Sequence, residues 1–364
     1  MRSPGSLGKK LVASFVTGLC MVGAAWAGVG LAPTGSTGSR PGLPVASAAA
    51  QEGVAALAEA DTTGGFPDLS QLQALSGGEF YVGAAETSLA PDPAKWQTEG
   101  CIQMDQSAIE RATEHLENYQ ADSTKAVPPG WPKSPNCIYM GGYGLPGPAR
   151  PATGVDPYAG VKVHTLAISN GAETVVWQTL DMVAYFNTYR DDLCGDCGIL
   201  DIRKTIAERT GGKVKFDNVA IGSSHTHGGA DGYGVWGGLP DWYREQIRDG
   251  VLSSAADALR SMRPATIEIG SVDARAFNNE RRDLYYSTAD YGAVWLQARE
   301  LAVPSDARTK KKNPPPAEPP VVATLVNYAA HPVVMGEDNT LLHGDWPATA
   351  SKALGSRMGG VGLV

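Results

Sequence analysis

A chain of 364 residues, 43% of them hydrophobic, can bury the core of one large domain or two small ones. Its formal net charge is −8, and residues 1–50 hold four basic groups (Arg2, Lys9, Lys10, Arg40) and no acidic ones, so without them the balance falls to −12. That acidity excludes a nucleic-acid binder, because a phosphate backbone demands a positive face.

Arg2, Lys9 and Lys10 precede an uncharged run of 22 residues, Leu11 to Ala32, and then a Gly/Ser/Pro/Ala stretch that ends in Ala46-Ser47-Ala48-Ala49-Ala50. This is an export signal in outline, with small-x-small cleavage sites at Ala25-Trp26-Ala27 and within 46–50, so residues 1–50 are expected to be processed and the product secreted or held at the cell surface. The apolar run exceeds the roughly 7 to 15 residues of an ordinary signal core, and an uncleaved membrane anchor is the competing reading. Leu19 before Cys20 does not suit a lipoprotein site. Residues 51–76 lack a hydrophobic period and read as a flexible lead-in, with the folded domain running from Gly77 to Val364.

Within that domain, Val161–Ser169 and Thr174–Val183 are apolar runs separated by Asn170-Gly171, a hairpin signal, and Asp181 closes the second strand. Ile199–Thr210 reads as a helix stopped by Gly211-Gly212, and 217–222 as a short strand. Between 241 and 262, Trp242, Ile247, Val251, Ala255, Leu259 and Met262 recur on one helical face, and Pro264 ends the pattern. Strands follow at 265–271, 294–301 and 321–328, the last two joined by a Pro/Lys-rich loop at 303–319. Within that loop Lys310-Lys311-Lys312 reads as a solvated charge cluster, with contact to an anionic membrane surface as the alternative. Strands and helices interleave with at least one hairpin. The expectation is an α/β fold of α+β character: layered mixed sheets with flanking helices in a single, incomplete domain.

With Cys20 in the exported leader, Cys101, Cys137, Cys194 and Cys197 remain, an even number that points to two disulfides among three possible pairings. Cys101 with Cys137 and Cys194 with Cys197 is the expected set. Cys194-Gly195-Asp196-Cys197 has redox-pair spacing, but no thioredoxin-like βαβ pattern surrounds it, so it reads as a loop staple.

The histidines carry the chemistry. There are six, and His225 and His227 lie two apart in Ser224-His225-Thr226-His227-Gly228-Gly229, between a short strand and a Gly-rich loop. His331 ends the run Asn327-Tyr328-Ala329-Ala330-His331-Pro332, and His343 follows in Leu342-His343-Gly344-Asp345-Trp346. Neutral imidazole is the usual zinc ligand, and a catalytic zinc takes about three protein ligands with one position open. In an extended segment side chains repeat with period two, so His225 and His227 are expected to point the same way, and spacing alone makes both of them ligands. Two hydrogen-bonded loop histidines are the plain alternative.

The arrangement Ser-His-Thr-His-Gly-Gly, then Asp231-Gly232-Tyr233, then Ala330-His331-Pro332 with Asp345 beyond it, resembles the neutral/alkaline (non-lysosomal) ceramidases. Gly83-Ala84-Ala85-Glu86-Thr87-Ser88, Met140-Gly141-Gly142-Tyr143-Gly144, Leu180-Asp181, Ile202-Arg203 and Phe277-Asn278-Asn279-Glu280-Arg281-Arg282 fall in the same order. The resemblance implies an exported zinc amidase that cleaves the N-acyl bond of ceramide or a related N-acyl lipid. His225 and His331 would be zinc ligands, and His227 would stand beside the metal as a catalytic group that assists proton transfer or oxyanion binding. On that point the resemblance and the spacing disagree.

Secondary candidates each carry two readings. Asp181 could orient a zinc histidine or cap a loop. Asp345 resembles an acidic position near the family's metal site or is a turn residue, and His343 reads as a hydrogen-bonded loop residue. Tyr143, Tyr233 and Trp236 could line a substrate groove or anchor their loops. Arg281 and Arg282 could meet a polar headgroup or simply be solvated. In the family a glutamate and a tyrosine complete the zinc shell from segments downstream of the Asp345 region, where this chain ends in Met358-Gly359-Gly360-Val361-Gly362-Leu363-Val364, which reads as the start of a buried strand. The sequence is therefore expected to be a fragment of a longer enzyme. The alternative is a non-catalytic lipid-binding or surface protein of the same fold, inactive because its metal shell is incomplete. The expected partner is a ceramide-like lipid, with peripheral membrane contact as the further option and oligomeric state unspecified.

Overall fold

The computed structural model describes residues 65–75, 78–101, 136–143, 150–185, 194–234, 236–278, 292–301 and 318–364. Residues 1–50, Arg281, Arg282 and Lys310–Lys312 lie outside them. In chain order the strands are β1 (Glu79–Ser88), β2 (Tyr139–Met140), β3 (Arg150–Pro151), β4 (Gly154–Val155), β5 (Lys162–Ser169), β6 (Thr174–Leu180) and β7 (Met182–Tyr185). They continue with β8 (Val214–Ser223), β9 (Ala230–Gly232), β10 (Arg263–Asp273), β11 (Gly292–Glu300), β12 (Val321–Asn327), β13 (Leu341–Leu342) and β14 (Val361–Leu363). The helices are α1 (Ile199–Arg209), α2 (Asp241–Arg260) and α3 (Asp345–Met358).

The fold is a mixed α/β arrangement built on an eight-stranded sheet ordered β14-β12-β11-β10-β1-β5-β6-β8. β5 and β6 form the hairpin expected from Asn170-Gly171, pairing Ser169 with Thr174. β8 then returns parallel to β6 after α1, and β14 parallel to β12 after α3, so helical crossovers supply the parallel pairs of an otherwise antiparallel sheet. Both faces are covered. Tyr81, Val163 and Ala167 pack under α2, while their neighbours Val82 and Leu166 face the opposite cluster of Leu296, Ala323, Leu325 and Leu363, as the two-residue period of a strand dictates. The α2 face includes one polar strap: Gln178 Nε2 donates to Thr165 Oγ1 and to the Val251 carbonyl, both at 2.9 Å, and Thr165 Oγ1 lies 2.7 Å from Ser254 Oγ. The strap fixes the register of α2 on β5 and β6 through Gln178 Nε2, while Gln178 Oε1 stays buried without a hydrogen-bond partner among the described residues.

Three segments differ from the sequence reading. The apolar run 174–183 is two strands: Asp181 forms a corner, after which β7 leaves the large sheet and joins a four-stranded sheet ordered β3-β2-β9-β7. Residues 65–75, placed with the lead-in, pack onto the domain through a 3-10 turn at Leu69–Gln71, capped by the Asp68 carboxylate, with Leu69 and Leu72 in the main core. α3 follows a segment read only as turn and loop. Its buried residues, Asp345, Pro347, Ala348 and Ser351, are small or polar, so it gives no apolar stripe. No helix among the described residues is long and apolar enough to cross a membrane.

Both disulfides are formed, Cys101 to Cys137 and Cys194 to Cys197, each with a Cα–Cα separation of 5.8 Å, inside the ordinary range.

Candidate metal centre

β8 ends at Ser223, and the chain turns out of the large sheet through His225, whose φ of +65° is the left-handed conformation that costs a non-glycine residue about 1 kcal/mol or more. The two rings of the His-Thr-His segment therefore do not share a side by strand alternation. They converge because the backbone kinks between them, meeting edge to face with centroids 5.1 Å apart. His331 arrives just beyond β12, and its ring stacks on His225 at 5.2 Å and crosses His227 at 4.7 Å. One nitrogen from each of His225, His227 and His331 lies within 4.8 Å of the others. His227 is buried, whereas His225 and His331 are exposed, so the cluster opens to solvent on one side.

Backbone carbonyls set the tautomers. His225 Nδ1 lies 2.7 Å from the Val183 carbonyl and His227 Nδ1 lies 2.5 Å from that of Gly142. A carbonyl only accepts, so both Nδ1 atoms carry the proton and both Nε2 lone pairs face the cluster. His227 Nε2 is 2.9 Å from His331 Nε2. Burial drives the His227 imidazole down to about 4, reinforced by His331, His225 and Arg150 and opposed by the bond to Gly142, so its ring is neutral at pH 7.

This donor set fits a divalent metal of zinc type. Imidazole is the usual protein ligand for such an ion, and carbonyl-anchored Nδ1–H groups are how imidazoles at a metal are oriented.

The surrounding loops are held by buried polar groups. Asp181 is buried, but its carboxylate accepts from the Lys162 backbone N–H at 3.1 Å and lies 3.5 Å from His164 Nε2; the bond that orients His225 comes instead from the Val183 carbonyl. Asp345 holds the loop after His331: Oδ2 accepts from Met335 N–H at 3.0 Å, and Oδ1 accepts from Trp346 N–H at 2.6 Å. His343 is also buried, its Nδ1 accepting from Asp345 N–H at 3.2 Å, and its ring lies where a Cβ on Gly228 would come within 2.1 Å. That close approach is why a glycine follows His227. Asp231 is fully buried and accepts from the backbone N–H groups of Gly234, Trp236 and Gly238, which places Trp236 at 6.1 Å from the His227 ring. Tyr143 lies 5.1 Å from His227 and burial raises its pKa; Tyr233 is half exposed and lies against Trp236. Arg150, which carried no signal in the sequence, is buried between these loops.

No family model and no curated protein matches the chain. Among solved structures it is similar to one described as "Ceramidase complexed with C2", with TM-score 0.46 and 14% identity over 79% of this chain and 37% of that one. It is similar also to neutral ceramidase from Pseudomonas aeruginosa, with TM-score 0.46 and 14% identity over 79% of this chain and 38% of that one. The chain thus spans well under half the length of either.

Proposed function

We propose that this chain carries the metal-binding part of an exported zinc-dependent amidase that hydrolyses the N-acyl bond of ceramide or a related N-acyl lipid. The carrying observation is the convergence of His225, His227 and His331, from two segments about a hundred residues apart, on one point at the end of the sheet. The ceramidase-like order of motifs along the sequence supports the choice of reaction.

A zinc ion there supplies a Lewis acid for the amide carbonyl and a bound water acidified to a pKa of about 7. His225 and His331 present exposed nitrogens as the metal-holding pair. His227, neutral and anchored through Nδ1 to Gly142, presents the Nε2 lone pair as a proton acceptor beside the reacting groups. Trp236 and Tyr143 pack against His227 and keep water from its buried side.

An apolar substrate suits the rim. Val334, three residues after His331, is 74% exposed, and Phe277 is 81% exposed and precedes Asn278, whose Nδ2 donates to the Ala329 carbonyl at 2.9 Å. Exposed apolar side chains on the segments that lead to and from the His331 loop are what an acyl chain would cover. The disulfides and the leader-like N-terminus support export.

The test is release of fatty acid and sphingoid base from a short-chain fluorescent ceramide by the zinc-loaded chain, extended by its downstream segment where the gene encodes one. Cleavage that is lost in His227→Gln with zinc retained supports the reading. Zinc-independent cleavage overturns it.

A further inference from the structure

We infer that Arg150 is a positioning residue for the metal centre, a guanidinium that clamps the segments carrying His227 and His331 at a fixed separation. The inference rests on the metal reading above.

Arg150 lies on the two-residue strand β3 with its side chain buried. Nη2 donates to the carbonyls of Gly141 and His227, at 2.5 and 2.7 Å, and Nη1 donates to those of Glu337 and Asn339, at 2.8 and 2.9 Å. The four acceptors come from three separate segments. Gly141 precedes Gly142, whose carbonyl fixes the His227 tautomer. His227 is the site residue itself. Glu337 and Asn339 lie on the loop that leads away from His331. The guanidinium also lies 5.0 Å over the Tyr143 ring, which in turn packs on His227.

A buried cation whose hydrogen bonds go to neutral carbonyls is costly, and an apolar residue of similar size would fill the space more cheaply. Only a planar fork with five donors can bind four carbonyls in divergent directions, which lysine cannot do. Direct contacts join the same segments, from His227 N–H to the Pro332 carbonyl at 3.3 Å, from His343 N–H to the Gly228 carbonyl at 2.9 Å and from Thr226 Oγ1 to the His343 carbonyl at 3.1 Å, and the guanidinium adds its four bonds between them, at the level of His227 itself. The clamp therefore sets the spacing between His227 Nε2 and His331 Nε2. Groups that orient a metal site from behind typically govern affinity by about 10- to 100-fold.

The experiment is a cobalt(II) titration of the full chain, read by visible absorption, in wild type, Arg150→Lys and Arg150→Ala, with Gln178→Ala as a control for general destabilisation. The expected result is a fall in cobalt affinity of at least about tenfold with an altered absorption band in both Arg150 variants, larger than in the control at matched loss of stability. Millimolar guanidinium, but not ammonium, should restore the band in Arg150→Ala. Should Arg150→Ala fail to fold, Arg150→Lys keeps the charge and stem and decides the matter alone. Wild-type affinity and spectrum in Arg150→Lys, or an equal loss in Gln178→Ala, overturns the inference while leaving the metal reading intact. A wild-type chain that takes no cobalt removes both.

Discussion

The buried imidazole of His227 makes the metal-free protein sensitive to acid in a defined window. In the unfolded chain a histidine takes up its proton near pH 6.5, whereas in the folded chain burial and the neighbouring His331, His225 and Arg150 delay protonation until about pH 4. Above pH 7 neither state binds the proton and His227 imposes no pH dependence. As the pH falls from 6.5 to 4 the unfolded state gains a proton that the folded state refuses, and stability is lost with a slope approaching 1.4 kcal/mol per unit. The accumulated loss at pH 4 is at most about 3 kcal/mol. Carboxylates titrate in the same range, so the measurement is a difference. Urea unfolding of chelator-treated wild type and His227→Gln, followed by tryptophan fluorescence from pH 7.5 to 4.5, should give curves that converge towards low pH. Parallel curves would show that His227 is not held neutral by the fold and would refute the reasoning.

Three further substitutions test the packing around the site. Gly228→Ala places a Cβ 2.1 Å from the buried His343 ring, which has to give by more than 1 Å, so a loss of about 1 to 3 kcal/mol in urea unfolding and weaker metal binding are expected; wild-type stability would show that the ring moves freely. Asp231→Asn removes the charge that three backbone donors share and should cost about 2 kcal/mol, with faster hydrogen exchange at Gly234, Trp236 and Gly238; unchanged exchange would mean that the loop is held by other contacts. Replacing Cys101 and Cys137 together by serine opens a bridge with a sequence separation of 36 and should cost about 3 to 4 kcal/mol by loop entropy, read as a lower urea midpoint.

What the sequence revealed depended on whether the signal was local. The β5–β6 hairpin and helices α1 and α2 follow from a turn dipeptide, a glycine stop and a repeating apolar face, all contained within about twenty residues. The strands of two residues, β2, β3, β4 and β13, exist because distant segments meet, and no run of residue types announces them. The switch of sheets at Asp181 is hidden for the same reason, since β6 and β7 are both apolar and only their partners differ. α3 is missed because its buried side is alanine, serine and proline.

The site divides similarly. Histidine is scarce in this chain and chemically specific, so His225, His227 and His331 stood out, although they converge through the left-handed turn at His225 rather than through strand alternation. Of the two readings open for Asp181, the carboxylate binds the Lys162 N–H, and it is the backbone carbonyls of Val183 and Gly142 that orient the histidines; a carbonyl is present at every residue and marks none. Arg150 escaped notice on the same ground: its four partners are main-chain oxygens from three segments.

Metal content by mass spectrometry, after equilibrium dialysis against zinc, probes the proposed shared coordination most directly. The proposed function predicts about one zinc per wild-type chain and a loss of binding of at least about tenfold in both His225→Ala and His331→Ala, with folding preserved by circular dichroism. A folded wild-type chain that retains no zinc, or one whose binding survives both substitutions, would contradict it.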